Sequence, residues 1–386
     1  MERAYEQVSE DEPDADVALL VYRIAQAHFF RGDPDSAQAW TDRALDLAEA
    51  LDLPDLLVLG WTLRAGQLLG RRPQEGRGLV ELALRTALEK APGRVVNNYV
   101  QLGDTNFHQD RYAAAVAYLE QALDESRRIG DRRMEWFVLS ELTYALYMLG
   151  RWDESLARLA EIPDDQLGHT SNLLSPTNGV LEIYLQRGEL ERARALLVRF
   201  EALGHSGDVQ SEGAVAAASA AVHVAAGELH EALSAGEQAF TGRETLGIGA
   251  QDVKQGYLHA LEAAFALGDR ARVAGLCEVV ENVPAGLQPP LLAALARRFR
   301  ARLADGDPSA DDDYVAAAAQ LRALELPFHV AVVLLEHGEW LVAGDRADDA
   351  EPLLAEARET FDRLAATPWL ERLDALQAGE PAGIPA

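Results

Sequence analysis

The sequence predicts an all-α fold, a right-handed superhelix (solenoid) of about nine helical hairpins with a ~39-residue period. Three observations predict it. Short polar turns interrupt apolar helical stretches at nearly constant intervals along the chain. A small residue recurs five positions after many of these turns. Finally, 48% of the residues are hydrophobic, which is ample for a packed interior, yet no uninterrupted apolar stretch is long enough to span a membrane.

The turns define the period. In 147-YMLGRWDESLARL-159 an apolar stretch stops at Gly150, and a new helix is expected to open around Asp153 and Glu154. Glycine adopts a left-handed helix C-cap without steric cost, and acidic side chains offset the dipole at the start of the next helix. Successive turn residues are separated by 38, 40, 40, 38, 39, 41, 38 and 38 positions. The predicted turn residues are Gly32, Gly70, Asp110, Gly150, Gly188, Gly227, Gly268, Gly306 and Gly344.

Small residues indicate where the two helices of a hairpin touch. A small side chain is required where antiparallel helices approach most closely. In hairpin three, Gly103 and Ala122 occupy two further positions of this kind. The small residues that follow a turn by five positions are Ala37, Ala115, Ser155, Ala193 and Ala232. Gly103 lies seven positions before its turn, and at this position, where Gly or Ala is expected, other hairpins carry Leu63, Leu181 and Leu261.

This pattern resembles the tetratricopeptide repeat, with a period about five residues longer than the roughly 34 residues of that repeat. Segments 96–123, 129–159 and 351–376 are similar to the C-terminal helical arrays of bacterial regulators. In those proteins a nucleotide cyclase or a helix-turn-helix is joined to a signal-transduction ATPase. The resemblance implies that this chain is the sensor or scaffold portion of such a regulator. The sequence contains neither a G-x-x-x-x-G-K-[ST] phosphate loop nor a basic recognition helix at either end.

We expect one array over residues 14–377, with flexible segments at 1–13 and 378–386. The acidic N-terminus is unlike a signal peptide, and the single cysteine, Cys277, fits a reducing cytoplasm. A net charge of −28, from 63 acidic and 35 basic residues, opposes direct binding to nucleic acid. The acidity either serves solubility or complements a basic partner.

The first helix of each hairpin is predicted to line a concave groove. Positions 13, 10, 6, 3 and 2 residues before each turn face inward, and aromatic and amide residues concentrate there in hairpins one to five. Such a mixture suits an extended peptide or a sugar-like ligand, but the aromatic residues would also suit packing between neighbouring hairpins. The predicted groove residues are Tyr22, Gln26, Phe29, Arg64, Gln67, Asn97, Asp104, Phe107, His108, Tyr144, Tyr147, Asn178, Glu182 and Gln186.

No catalytic residue, cofactor or metal site is predicted. The nine histidines occur singly, and no nucleophile, base and orienting group can be assembled from neighbouring hairpins. We expect Cys277 to be a small buried side chain and Asp311 to lie near a helix N-terminus. Within 336-EHGEW-340, we expect Gly338 to lie at a close contact between helices.

The sequence therefore predicts a non-enzymatic module of a bacterial signalling or transcriptional regulator that binds a peptide or partner domain in its groove. An ATPase, a cyclase or a DNA-binding output domain is a candidate partner, and no membrane is involved. Binding would shift the population of superhelix conformations. One alternative is a sensor of a sugar or another small metabolite in the same groove. Another is an enzyme on a closed helical scaffold, against which the missing paired acids argue.

Overall fold

The computed structural model describes Tyr5 and residues 14–167, 174–304 and 306–379, without the side chains of 174–178. Helices and turns make up these residues, and no strand occurs among them. The chain divides into two compact units. Unit 1 comprises Met1–His108, Ala114–Val138 and Gly207–Val209, and unit 2 comprises Gln109–Ala113, Leu139–Ser206 and Gln210–Ala386. The assignment of 14–377 to a single array stays a prediction.

Nine helical hairpins bend at the nine predicted turns within the described ranges. Hairpins one to three are formed by α1 (Ala15–Phe30), α2 (Pro34–Ala50), α3 (Pro54–Leu68), α4 (Pro73–Lys90), α5 (Val95–His108) and α6 (Tyr112–Ile129). Hairpins four to six are formed by α7 (Arg132–Met148), α8 (Trp152–Ala160), α9 (Leu174–Gln186), α10 (Leu190–Val198), α11 (Val209–Ala225) and α12 (Leu229–Thr241).

The short helix α13 (Arg243–Leu246) precedes the last three hairpins, and helix α20 (Thr367–Gln377) follows them. Those hairpins are formed by α14 (Gln251–Ala266), α15 (Arg270–Glu281), α16 (Pro290–Leu303), α17 (Ser309–Ala323), α18 (Pro327–Ala343) and α19 (Ala347–Leu364). None of these described helices has the length and apolar character needed to cross a membrane.

The predicted left-handed caps occur at seven of the nine turns. The exceptions are Gly70, whose φ is not positive, and Gly344, whose φ is −92°. At the last turn the left-handed residue is the next one, Asp345, with φ 59°. Aspartate tolerates this region better than most residues, so a glycine is not required there. The turn residues with positive φ are Gly32, Asp110, Gly150, Gly188, Gly227, Gly268 and Gly306.

The predicted helix contacts are confirmed. A Cβ on Gly103 would lie 3.0 Å from Leu119, and one on Gly338 would collide with Leu354. Cys277 is buried, and Asp311 lies in the first turn of α17, as expected. The five small residues that follow the turns, Ala37, Ala115, Ser155, Ala193 and Ala232, all have an exposed fraction of 0%.

Some close contacts were not predicted, among them one between hairpins six and seven. Hairpin seven carries Leu261 at the position where a small residue is expected within the hairpin, and its helix α14 approaches α12 of hairpin six through Gly256. A Cβ on Gly256 would lie 2.5 Å from the Cβ of Ala239 and 2.8 Å from the carbonyl oxygen of Gly236. Because one of these neighbours is backbone, a side chain at position 256 cannot be accommodated by a rotamer change alone.

We predict opposite effects for two Gly→Ala substitutions in neighbouring helices. Gly256→Ala should lower the free energy of unfolding by about 1–3 kcal/mol, because the new methyl group overpacks the α12–α14 contact. Gly275→Ala in α15, where an added Cβ meets nothing within 4 Å, should raise it by up to about 1 kcal/mol through helix propensity. Urea unfolding measures both. Equal effects of the two substitutions would contradict the close contact.

Candidate functional site

In unit 1, the first helices of hairpins one to three lie side by side. Phe29 of α1 packs over Gly66 of α3, where an added Cβ would lie 3.3 Å from the ring. Between α3 and α5, the hydroxyl of Thr62 donates a hydrogen bond to Asn98 Oδ1 at 3.2 Å. Because of these contacts, the predicted groove residues of α1, α3 and α5 lie on three helices that are next to one another.

Most of the predicted groove residues in unit 1 remain accessible. Tyr22 and Phe107 are buried, with exposed fractions of 5% and 2%. Such burial agrees with the alternative that these aromatic residues pack between neighbouring hairpins. A ligand contact for Tyr22 and Phe107 stays a prediction. The other seven residues, which we call the unit 1 face, are partly exposed: Gln26, Phe29, Arg64, Gln67, Asn97, Asp104 and His108.

Several polar side chains of the unit 1 face have partners within the protein. Arg64 forms an ion pair with Asp42, and Gln67 Nε2 donates to the Thr41 hydroxyl at 2.8 Å. His108 Nε2 lies 3.9 Å from Asp104 Oδ1. By contrast, the Nε of Arg64 and the Oε1 of Gln67 are covered and have no hydrogen-bond partner. A shift of either side chain toward a ligand would therefore sacrifice no hydrogen bond at those two atoms.

In unit 2, the predicted groove residues are mostly enclosed. Tyr144, Tyr147 and Glu182 have exposed fractions of 1%, 4% and 3%. Gln186 is partly exposed, and its Oε1 accepts a hydrogen bond from another helix of unit 2. The side chain of Asn178 lies outside the described part of the chain. Ligand contacts for these residues likewise stay predictions.

Glu182 belongs to a group of charged and histidine side chains from four first helices of unit 2, all of them buried except the partly exposed Glu262. Its Oε1 lies 2.5 Å from His259 Nε2. Arg298 donates two hydrogen bonds to Glu336, at 2.6 and 2.7 Å, and a third to Glu262 at 2.5 Å. We call Glu182, His259, Glu262, Arg298, His329 and Glu336 the inner polar cluster.

Electrostatics keeps the acids of the inner polar cluster ionised. Burial raises the pKa of Glu182, but His259, Gln186 and His329 lower it by more, so the net shift is downward. Burial also raises the pKa of Glu262, yet Arg298 and its neighbour Arg302 hold it at about 2.

His329 lies in a buried environment that disfavours its protonated form, unlike a histidine at the surface. Burial and the positive charge of Arg298 lower its pKa to about 4, so its imidazole is neutral at physiological pH. The adjacent acid and base, Glu182 and His259, have exposed fractions of 3% and 5%. A substrate would not reach this pair in the present conformation.

A second buried ion pair anchors the turn of hairpin three within unit 2. Lys254 Nζ lies 2.7 Å from Asp110 Oδ1, and the Tyr112 hydroxyl donates to the same oxygen at 3.0 Å. The backbone N–H of Leu291 donates to Asp110 Oδ2 at 2.8 Å. Asp110 therefore combines a left-handed turn with partners from hairpins seven and eight.

Sequence reasoning missed both buried groups. One available signal was the spacing of Asp252, Gln255, His259 and Glu262, which repeats every three or four residues along the interior-facing side of α14. Another was Lys254, one of two lysines among 35 basic residues. In the described ranges, no set of three His, Cys, Asp or Glu side chains is arranged to hold a metal ion.

Comparison with known proteins agrees with the hairpin architecture. The tetratricopeptide repeat family model matches residues 96–128, which cover α5 and most of α6. No curated protein matches the sequence. A Rap protein crystallised in complex with Competence and Sporulation Factor superposes with a TM-score of 0.63 at 13% identity, covering 91% of this chain and 99% of that chain.

A second structure, the apo form of the quorum sensor NprR from B. thuringiensis, gives a TM-score of 0.40 at 11% identity, with 93% of each chain covered. The repeat match and the Rap superposition confirm the predicted fold class, an all-α tetratricopeptide-like superhelix.

We predict that the two lysines differ sharply in their contribution to stability. Lys254→Met should lower the free energy of unfolding by about 3–5 kcal/mol, because it leaves Asp110 as a buried charge without its cation. Lys90→Met at the exposed end of α4 should change it by less than about 0.5 kcal/mol. Denaturant unfolding of the two variants checks this. A tolerated Lys254→Met substitution would refute the structural role of the pair.

We predict a pH dependence of stability from His329. Its pKa is about 4 in the folded protein, against an ordinary value of 6.5, so the unfolded chain binds the proton first as the pH falls. The contribution of neutral His329 is therefore complete above about pH 6.5 and is lost toward about pH 4, at up to about 1.4 kcal/mol per pH unit.

Urea unfolding at a series of pH values between neutrality and mild acid measures this slope. His329→Gln should reduce it, whereas His230→Gln, at an exposed position on α12, should leave it as in the wild type. An unchanged slope in His329→Gln would contradict the assignment.

Proposed function

We propose that this chain is a non-enzymatic regulatory module that binds a peptide or a segment of a partner protein on the unit 1 face. The observation that carries the proposal is the contrast in accessibility. Seven predicted groove side chains on three adjacent first helices remain partly exposed in unit 1, whereas three of their counterparts in unit 2 are enclosed.

The chemistry of the unit 1 face suits an extended polypeptide. Gln26, Gln67 and Asn97 carry neutral amides, which both donate to and accept from a peptide backbone. Phe29 offers an aromatic surface for an apolar side chain of the ligand. Arg64 and Asp104 are charged, so that the face can distinguish partners by charge.

Two further considerations support a regulatory role. A Rap protein of the same fold was crystallised in complex with Competence and Sporulation Factor, which supports the proposed binding role of this chain by analogy of fold alone. The resemblance in hairpins three and four to the arrays of bacterial signalling proteins suggests the class of partner. We propose that the module acts in the cytoplasm on an ATPase, a nucleotide cyclase or a DNA-binding output domain.

A small metabolite is the alternative ligand for the same face, since amides hydrogen-bond sugar hydroxyls as readily as peptide groups. The peptide is favoured because the face extends over three helices, which is more than a small molecule would cover.

Selection from a display library of short random peptides tests the proposal. Peptides that bind the full-length chain should lose about tenfold in affinity when Gln67→Ala and Asn97→Ala are combined, because two hydrogen-bonding amides are removed. Isothermal titration calorimetry measures the affinity, and thermal unfolding checks that the double variant, which loses the Gln67–Thr41 hydrogen bond, remains folded.

Gln38→Ala is the matched control, since Gln38 is an exposed glutamine on the second helix α2. Its affinity for the selected peptides should equal that of the wild type. Failure to select any binding peptide, or equal losses in the control and the double variant, would refute the proposed function. If a metabolite stabilises the wild type but not the double variant, the unit 1 face binds a small molecule, and the alternative function replaces the proposed one.

A further inference from the structure

Unit 2 contains a series of contacts between hairpins that lie far apart in the sequence. Three of these contacts follow one another, at separations of 181, 177 and 180 residues. In each of them the left-handed residue of a turn meets a helix that has proline among its first two residues. We call these contacts the seam: Asp110 with Leu291 of α16, Gly150 with Pro327 of α18, and Gly188 with Pro368 of α20.

The seam is packed most tightly at the turn of hairpin four. An added Cβ on Gly150 would lie 2.7 Å from Pro327 Cγ. The ring of Trp152, two residues after the glycine, lies 5.2 Å from the ring of Phe328, which follows the proline. At the turn of hairpin five, an added Cβ on Gly188 would lie at an ordinary distance of 3.5 Å from the equivalent proline.

The seam is additional to the packing that holds each hairpin. In arrays of helical repeats, a repeat is stabilised by its own helices and by its nearest neighbours. The seam instead joins the turns of hairpins three to five to α16, α18 and α20, which follow five hairpins later in the chain. Separation along the seam therefore leaves the hairpins and the contacts between neighbours in place. Such an opening is a partial transition, distinct from global unfolding.

The closed seam carries a desolvation cost near Asp110. Gln109 lies next to Asp110 in the sequence, and Gln251 and Gln255 lie within one helical turn of Lys254. The Nε2 atoms of these three glutamines and the Oε1 atom of Gln255 are covered and have no hydrogen-bond partner. The Asp110–Lys254 ion pair is likewise removed from water. Opening of the seam hydrates all of these groups, which offsets the contacts that it breaks.

We propose that unit 2 opens along the seam as one unit, without unfolding its hairpins, and that this opening is the gate to the inner polar cluster. The closed arrangement is the predominant state, and the open arrangement is a minor one. Helices α16 and α18 line one side of the seam and carry Arg298, His329 and Glu336, so that separation along the seam brings solvent to these side chains. The inference concerns unit 2 and does not depend on the unit 1 face.

The backbone amide of Leu291 reports directly on the seam. Its N–H donates across the seam to Asp110, and the second residue of a helix has no acceptor for its N–H within that helix. Hydrogen–deuterium exchange of the full-length chain, followed by NMR spectroscopy, should be at least about tenfold faster at Leu291 than at Leu295 in the interior of α16. The exchange of Leu291 should depend on urea more weakly than global unfolding does, because opening exposes less surface.

Two Gly→Ala variants separate opening of the seam from a general loss of stability. Gly150 and Gly227 are left-handed turn residues with φ of 68° and 74°, so alanine costs similar backbone strain at both. Only at Gly150 does the new methyl group collide across the seam, since nothing lies within 4 Å of a Cβ added to Gly227. Gly150→Ala should therefore accelerate the exchange of Leu291, at a different contact of the seam, about tenfold relative to Gly227→Ala.

Diethyl pyrocarbonate, which modifies neutral imidazoles, measures access to the inner polar cluster. His230, exposed on α12, gives the rate of unhindered modification. Modification of His259 and His329 should be slow in the wild type and should rise in Gly150→Ala more than in Gly227→Ala.

Three results would each overturn the proposal. The first is exchange of Leu291 in the wild type only through global unfolding, and this measurement decides if Gly150→Ala does not fold. The second is an equal exchange rate of Leu291 in the two variants. The third is faster exchange of Leu291 in Gly150→Ala while His259 and His329 stay as protected as in the wild type, because the seam would then open without giving access to the cluster.

Discussion

In five of the nine hairpins, the two antiparallel helices come into close contact at a small residue that is fully buried. The turn fixes where the chain reverses, and the small residue five positions later fixes how closely and in what rotation the helices pack. Ala37, Ala115 and their equivalents are completely buried for this reason. Once the rotation is set, the side of each first helix that faces away from its partner is fixed, and the predicted groove residues lie on that side.

The presented side differs between the two units. In unit 1 it bears amides, one aromatic ring, His108 and the charged Arg64 and Asp104, and it remains partly exposed. In unit 2 it bears ionised acids, arginine and histidine, which satisfy one another in the interior. Buried ion pairs contribute little net stability but strongly disfavour arrangements that separate them. We therefore interpret unit 2 as the part whose conformation is tightly specified; the proposed binding face lies in unit 1.

Local features of the fold could be read from the sequence, because turns and small contact residues act over a few positions. The nine bends and the buried Ser155 are of this kind. Two other features could not be predicted in this way: Asp345, not Gly344, is the left-handed residue of the last turn, and Gly256 provides a close contact between hairpins six and seven. The buried pairs could not be predicted from the sequence either, because His259 and Glu182 are 77 residues apart and Lys254 and Asp110 are 144 residues apart. No short-range pattern links such pairs.

Hydroxyl-radical footprinting of aromatic side chains tests the central claim, that packing of the hairpins leaves the first-helix side accessible in unit 1 and enclosed in unit 2. Phe30, exposed at the end of α1, provides the reference for full reactivity. The account predicts oxidation of Phe29 at a substantial fraction of that rate, together with strong protection of Tyr144 and Tyr147. Rapid oxidation of these two tyrosines with protection of Phe29 would contradict it.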